Sequence, residues 1–265
     1  MHMNVMVAVL LLLAGGLHAA DEGGRTVDPV PRQRDGSDKR IRIEGADLQS
    51  LWRGYLAGEE AYCALGLSIL APAKVPEELD AEICGAFASS QTVYRALFLG
   101  LCESLESLKL LESALTNGNA TVRDEARMAL ARRGNREYEE MFIRRYASHP
   151  IATNLTPAVA RDKSTWAVVR PMLYIGSVAC VAALFDSIPP REYARDGVRV
   201  SFVSVADMRT YLAAAGIEIP EEGTSDEKMR VWWRSNRAAI LAKLRAKDPK
   251  TLPRLSVIGI CVSIS

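Results

Sequence analysis

Histidine is the scarcest of the residues that do acid–base or metal chemistry in this 265-residue chain. Of its three histidines, His2 and His18 lie near the start and only His149 lies in the body of the sequence. A catalytic triad would have to be built on His149, whose setting beside Pro150 reads as a loop close to a helix end. The sequence has no HExxH, no set of cysteines with histidines, no glycine-rich phosphate loop and no GxSxG. No catalytic residue, no metal ligand and no cofactor is therefore expected. The best acid is the pair Glu59 and Glu60 beside Tyr62, because one glutamate on a helix at a cleft can protonate a glycosidic leaving group. That pair defines the alternative function, a helical hydrolase of cell-wall glycan. A solvated helix face explains it more simply, since no second carboxylate accompanies it.

Beyond residue 20 the cysteines are Cys63, Cys84, Cys102, Cys180 and Cys261, with no CxxC among them. In an oxidising compartment the odd count leaves at least one thiol unpaired or intermolecular. Cys63 and Cys84, on successive predicted helices, are the first choice for a bridge, and burial of both as core residues fits equally well. Cys180 lies in the apolar run 178–185 and reads as a buried thiol.

Trp232 and Trp233, flanked by Arg230, Arg234 and Arg237, carry the residue types that dominate protein-binding hot spots. Adjacent helical residues point about 100° apart, so at most one of the two indoles faces a core squarely. The expectation is that Trp233 is inward with Met229, Ile240 and Leu244. Arg230, Trp232, Arg234 and Arg237 are left as the candidate partner-binding residues.

These residues need elements to hold them, and the clearest is 119–146. Val122, Ala126, Ala129 and Leu130 fall at i, i+4, i+7 and i+8, with Arg123, Asp124 and Arg127 opposite. Thr121 with Asp124 reads as the helix start, and Gly134-Asn135 as the turn. A second stripe then runs through Tyr138, Met141, Phe142 and Tyr146. One hairpin cannot bury both stripes, so further units are expected. The stretch 91–115 repeats the layout: superposing Ala96 on Ala126 also superposes Phe98 on Met128 and Leu111 on Met141. A third unit has helices at 164–174 and 178–185 about the turn Ile175-Gly176-Ser177, with Pro171 expected to kink the first. Upstream, one helix is expected over 47–70, weakened by Gly54, Gly58 and Gly66, and another through Ile83 and Phe87.

The ends differ from the middle. Residues 5–17 form an uninterrupted apolar run closed by Ala19-Ala20, the pattern of a secretory signal peptide; retention as an anchor is the other reading. The expected boundaries are a signal peptide at 1–20, a flexible linker at 21–45, a helical repeat domain at 46–246 and a C-terminal tail at 247–265. Residues 198–203 alternate like a short strand, and 255–264 are apolar and β-prone; the two either pair or simply pack. Thr224-Ser225-Asp226-Glu227 opens a long helix through Leu244, an atypical last unit of the kind that caps a repeat stack.

Val122-Arg123, then Ala126, Ala129-Leu130 and Gly134, resembles the first helix of a HEAT-like repeat, and Val169-Arg170 with Leu173 and Gly176 is a looser copy. The stretch Met229-Arg230-Val231-Trp232-Trp233-Arg234-Ser235-Asn236-Arg237 resembles the tryptophan-rich last helix that follows such repeats in some exported bacterial proteins. The resemblance implies an all-α solenoid of helical hairpins that binds other proteins and shares no catalytic set.

Charge is consistent with a protein partner. The net charge of +1 excludes a globally basic, nucleic-acid-coating protein. Acids dominate 74–112 and bases dominate 226–254, while Arg132, Arg133 and Arg136 belong to a basic cluster interleaved with Glu137, Glu139 and Glu140. That cluster reads first as a self-paired face and second as a site for an acidic partner. The expected molecule is an exported, periplasmic or secreted, non-catalytic scaffold whose partner is another protein. No nucleic-acid partner and no membrane span in the mature chain are expected, and the oligomeric state is left open.

Overall fold

The computed structural model describes residues 47–58, 66–67, 70, 75–153, 163–188, 194–195, 198–199, 203–221 and 224–255. The described chain is mainly α-helical. Its helices are α1 (Leu48–Leu56), α2 (Glu77–Ser89), α3 (Val93–Leu99), α4 (Leu105–Ala114), α5 (Ala120–Arg132), α6 (Arg136–Ala147), the one-turn α7 (Pro150–Thr153), α8 (Lys163–Ile175), α9 (Val178–Asp186), α10 (Val205–Ala214) and α11 (Asp226–Arg245). No described helix is long and apolar enough to cross a membrane.

Three hairpins fall where the apolar periodicity put them. In α5, Val122, Ala126, Ala129 and Leu130 are all buried, and in α6 so are Phe142 and Tyr146. The α5–α6 turn closes through Gly134 at φ 98°, a conformation open to glycine, and Asn135 caps α6 by accepting from the Tyr138 N–H. Gly176 at φ 58° and Ser177, which accepts from the Cys180 N–H, do the same between α8 and α9. The hairpins pack in succession: α3 lies against α5 and α5 against α8, while α4 lies against α5 and α6 against α8. Before them, α2 packs on α3 and α4; after them, α9 packs on α6 and α11.

Several local expectations need correction. The helix expected over 47–70 ends at Leu56, because Ala57 caps it and Gly58 turns to φ 86°. Gly66 nevertheless serves close approach, since a Cβ there would meet the Leu51 side chain at 2.4 Å. Asn119, not Thr121, caps α5, and Ser225, not Thr224, caps α11. Pro171 lies inside α8, as its pattern predicts, and the helix continues past it to Ile175. Val198–Arg199 does form a strand, paired antiparallel with Ala194–Arg195; the C-terminal stretch considered as its partner lies, apart from Leu255, outside the described residues.

One tyrosine links the three hairpins. Tyr174 of α8 donates its hydroxyl to the Leu97 carbonyl of α3 at 2.6 Å, and its ring lies 4.8 Å beneath the guanidinium carbon of Arg132 from α5. The contact is possible because Gly100 has no Cβ, which would stand 2.1 Å from the Tyr174 hydroxyl. Burial pushes the phenol above its ordinary pKa, so it acts as a fixed donor.

A candidate partner-binding groove along the hairpin turns

The turns inside the three hairpins share one edge of the molecule, and arginines hold them there. Arg132 donates to the carbonyls of Leu67, Leu70 and Tyr174 at 3.1, 2.8 and 2.9 Å. Arg133 reaches back from the second turn to the first, donating to Ser107 Oγ at 2.7 Å and to the Glu103 and Ser104 carbonyls at 3.2 Å. Arg254 donates to the Ile175 carbonyl at 2.7 Å, and Gly176 admits it, since a Cβ there would lie 1.8 Å from its Nη1. Tyr174 and Ile175 end α8, whose last carbonyls have no helical partner and carry the negative end of the helix dipole. Two guanidiniums satisfy them. Burial, and then the like charge of Arg254, lowers the Arg132 pKa to about 9; a guanidinium shared among three carbonyls stays charged at neutral pH.

The segment after α11 closes this edge. Pro249–Thr251 forms a 3-10 turn capped by Asp248, Lys250 Nζ lies 2.7 Å from Glu103 Oε1 in the first turn, and Leu252 and Leu255 are buried. Asp80 of α2 fixes the first turn from beneath, accepting from the Glu103 and Ser104 N–H groups at 3.2 and 3.3 Å and from Ser104 Oγ at 2.6 Å. Its burial raises the carboxyl pKa, but the Ser104 hydroxyl, the Cys84 thiol and the two backbone donors outweigh that and hold it below the ordinary value.

Between the turns and this segment runs a groove of about 960 Å³. Its described lining holds the cations Arg132, Arg133, Arg136, Arg245, Lys247, Lys250 and Arg254 against the carboxylates Glu103 and Glu139. The floor between them is aliphatic, with Leu101, Ile175, Val178 and Leu252. Cys102 also lines it, and burial raises that thiol's pKa, so no thiolate nucleophile forms there at neutral pH. Cations over an aliphatic floor bind and orient an anion. Of the two carboxylates in the described lining, Glu103 is paired with Lys250.

The residues singled out by sequence are dispersed rather than gathered. Arg230, expected to face solvent, is only 7 % exposed and lies 3.5 Å from Glu227 one turn earlier. Arg237 grips Asp186 with Nε at 2.9 Å and Nη2 at 2.7 Å. Trp232 is half-buried against the core, Arg234 is exposed, and Trp233 is buried as expected. None of these five lines the groove. His149 is half-buried, and its Nδ1 accepts from the Ile151 N–H at 3.2 Å at the start of α7. Glu59, Glu60 and Cys63 lie outside the described residues; Cys84 is a free thiol donating to Asp80 Oδ1 at 3.4 Å. Among the described residues no three His, Cys, Asp or Glu side chains are grouped as a metal site.

Comparison of the chain with protein-family models, with curated proteins and with solved structures finds no match in any of the three.

Proposed function

We propose that this chain is an exported, non-catalytic scaffold, a HEAT-like stack of helical hairpins that holds another protein along the edge formed by its hairpin turns. The observation that carries the reading is the repetition in packing. Each hairpin's first helix lies on the first helix of the next, and the intervening helix also lies on that next unit, as stacking of a repeated unit requires. The roughly 30-residue offset agrees with it: Ala96 and Ala126, which superpose at that spacing, are both fully buried. A stack ends on an uncovered apolar face, and α11 supplies a cover here, with Trp233 edge-on to Phe185 of α9 at 5.3 Å. Export rests on the apolar run 5–17 and the small residues after it.

Affinity capture from an envelope extract, with the chain from residue 21 onward as bait, tests this. The expected result is one protein recovered at near-equal stoichiometry that co-migrates with the bait on size exclusion. Turnover of wall glycan, lost in Glu59→Gln or Glu60→Gln, would contradict the non-catalytic reading.

A further inference from the structure

We infer that the groove along the hairpin turns is built for an acidic, leucine-bearing peptide segment of a partner protein, an assignment that rests on the protein-binding reading and narrows it. Charge balance is the first argument. Most of the groove's cations already have an acceptor: Arg132, Arg133 and Arg254 are spent on carbonyls, and Lys250 on Glu103. Arg136, Arg245 and Lys247 are exposed and make no hydrogen bond or ion pair to another described residue. Three like charges are thus held around one depression whose described lining offers them a single unpaired carboxylate, Glu139. An acidic ligand relieves that repulsion, steered in by the same field.

Preorganisation is the second argument. The guanidiniums lining the inner wall are fixed by backbone carbonyls of the first hairpin, of the third hairpin and of Leu67 and Leu70, so their positions cost little ordering when a ligand arrives. The third argument is the floor, and it separates peptide from nucleic acid. Single strands are held by stacking bases on aromatic rings, and the described lining contains no Phe, Tyr, Trp or His. Aliphatic side chains instead offer pockets to leucine-like residues. The volume, about 960 Å³, also exceeds what a lone phosphate or carboxylate fills and suits several residues of extended chain.

The test uses the chain from residue 21 onward and fluorescence anisotropy with a fluorescein-labelled (Glu-Glu-Leu)4 peptide. A (Lys-Lys-Leu)4 peptide and a twelve-nucleotide single-stranded DNA serve as comparison probes. The expected result is saturable binding of the acidic peptide alone, weakening with salt. Arg136→Glu/Arg245→Glu/Lys247→Glu should weaken it about tenfold or more, as three rim charges reversed together do. Lys109→Glu/Arg144→Glu/Lys228→Glu, with the same change in net charge on exposed sites away from the groove, should change it less than about twofold. Should the glutamate variant lose its cooperative melt, the Gln versions at the same three positions carry the comparison, with a smaller loss in the same direction. Equal loss in both triple variants, or tighter binding of the DNA, overturns the inference. So does acidic-peptide binding abolished by Arg234→Glu but not by the groove variant; that result places the ligand on α11 and leaves the protein-binding reading standing.

Discussion

Trp233 donates its indole N–H to Asp186 Oδ1 at 3.0 Å, tying the middle of α11 to the last residue of α9. Arg237, one turn further along α11, donates to both oxygens of the same carboxylate, from Nε to Oδ1 and from Nη2 to Oδ2. The last helix is therefore docked by a buried ring and pinned by a charge at its rim, and the two should differ in energetic weight. Trp233→Ala is expected to cost about 3–5 kcal/mol, as large buried aromatics do. Arg237→Ala should cost at most about 1 kcal/mol, because both partners are more than a third exposed. Asp186→Ala should fall between, at roughly 1–3 kcal/mol, since it also orphans the buried indole N–H. Urea unfolding of the three variants checks the order; equal costs would mean that the ring is not the anchor.

Glycine-to-alanine changes separate close approach from plain helix propensity. Gly100→Ala drives a methyl to 2.1 Å from the Tyr174 hydroxyl and 3.0 Å from Ala129 Cα, so helices α3, α5 and α8 must move apart. The expected cost is roughly 1–3 kcal/mol. Gly85 sits inside α2 with nothing within 4 Å of its added Cβ, so Gly85→Ala should stabilise by up to about 1 kcal/mol. Thermal melts of the two variants should move in opposite directions.

Asp80 makes stability depend on acid. Its pKa in the folded protein lies below the ordinary value, so the unfolded chain takes up the proton first as pH falls. The stabilisation is complete above the unfolded value of about 4 and is lost as pH drops through the folded one. Asp80→Asn should cost roughly 1–3 kcal/mol at pH 7, and its deficit against the parent should shrink below about pH 4. Chemical unfolding at pH 7 and pH 3 reads both. An unchanged deficit at pH 3 would show that the Asp80 charge contributes nothing.

The buried thiols should be inert. Burial, and then the Asp80 carboxylate, raise the Cys84 pKa to about 11, and burial raises that of Cys180 to about 12. Iodoacetamide at pH 8 should therefore leave Cys84, Cys102 and Cys180 unlabelled in the native protein and label them in urea without reductant. If Cys84 takes label in urea only after reduction, it is disulfide-bonded in solution, and Cys63 becomes the partner to test.

How much of this was legible follows from which contacts are local. Helix α9 occupies Val178–Asp186, one residue beyond the span its pattern predicts, and Gly134 and Gly176 mark the turns, because period and turn chemistry are written within a few residues. Caps were misplaced by one or two residues because Asn119 competes with Thr121, and Ser225 with Thr224, for the same N–H groups. Arg230 reads as a solvent-facing cation by its charge, yet its side chain is buried, with the guanidinium near Glu227. The groove is the least visible feature, since its walls come from stretches scattered between Leu48 and Arg254. Only its charge was foreshadowed, by the basic cluster at 132–136 and the basic excess of 226–254.

The self-paired reading of the arginine cluster holds only in part. Arg144 meets Glu140 at 3.7 Å, and Arg127 and Arg145 share Asp124 at 2.7 and 3.3 Å. Arg132 and Arg133 instead turn to backbone carbonyls up to 65 residues away, contacts that no helical spacing announces.

The central claim is that a protein partner docks on the edge where the hairpin turns meet. Hydrogen–deuterium exchange of the chain alone and in its captured complex tests it most directly, because protection reports which backbone amides the partner covers. The account predicts slowed exchange in peptides spanning 101–104, 132–136, 175–179 and 245–254 together, with 226–238 unchanged. Protection confined to the exposed face of α11, with the four turn segments exchanging as in the free protein, would contradict it.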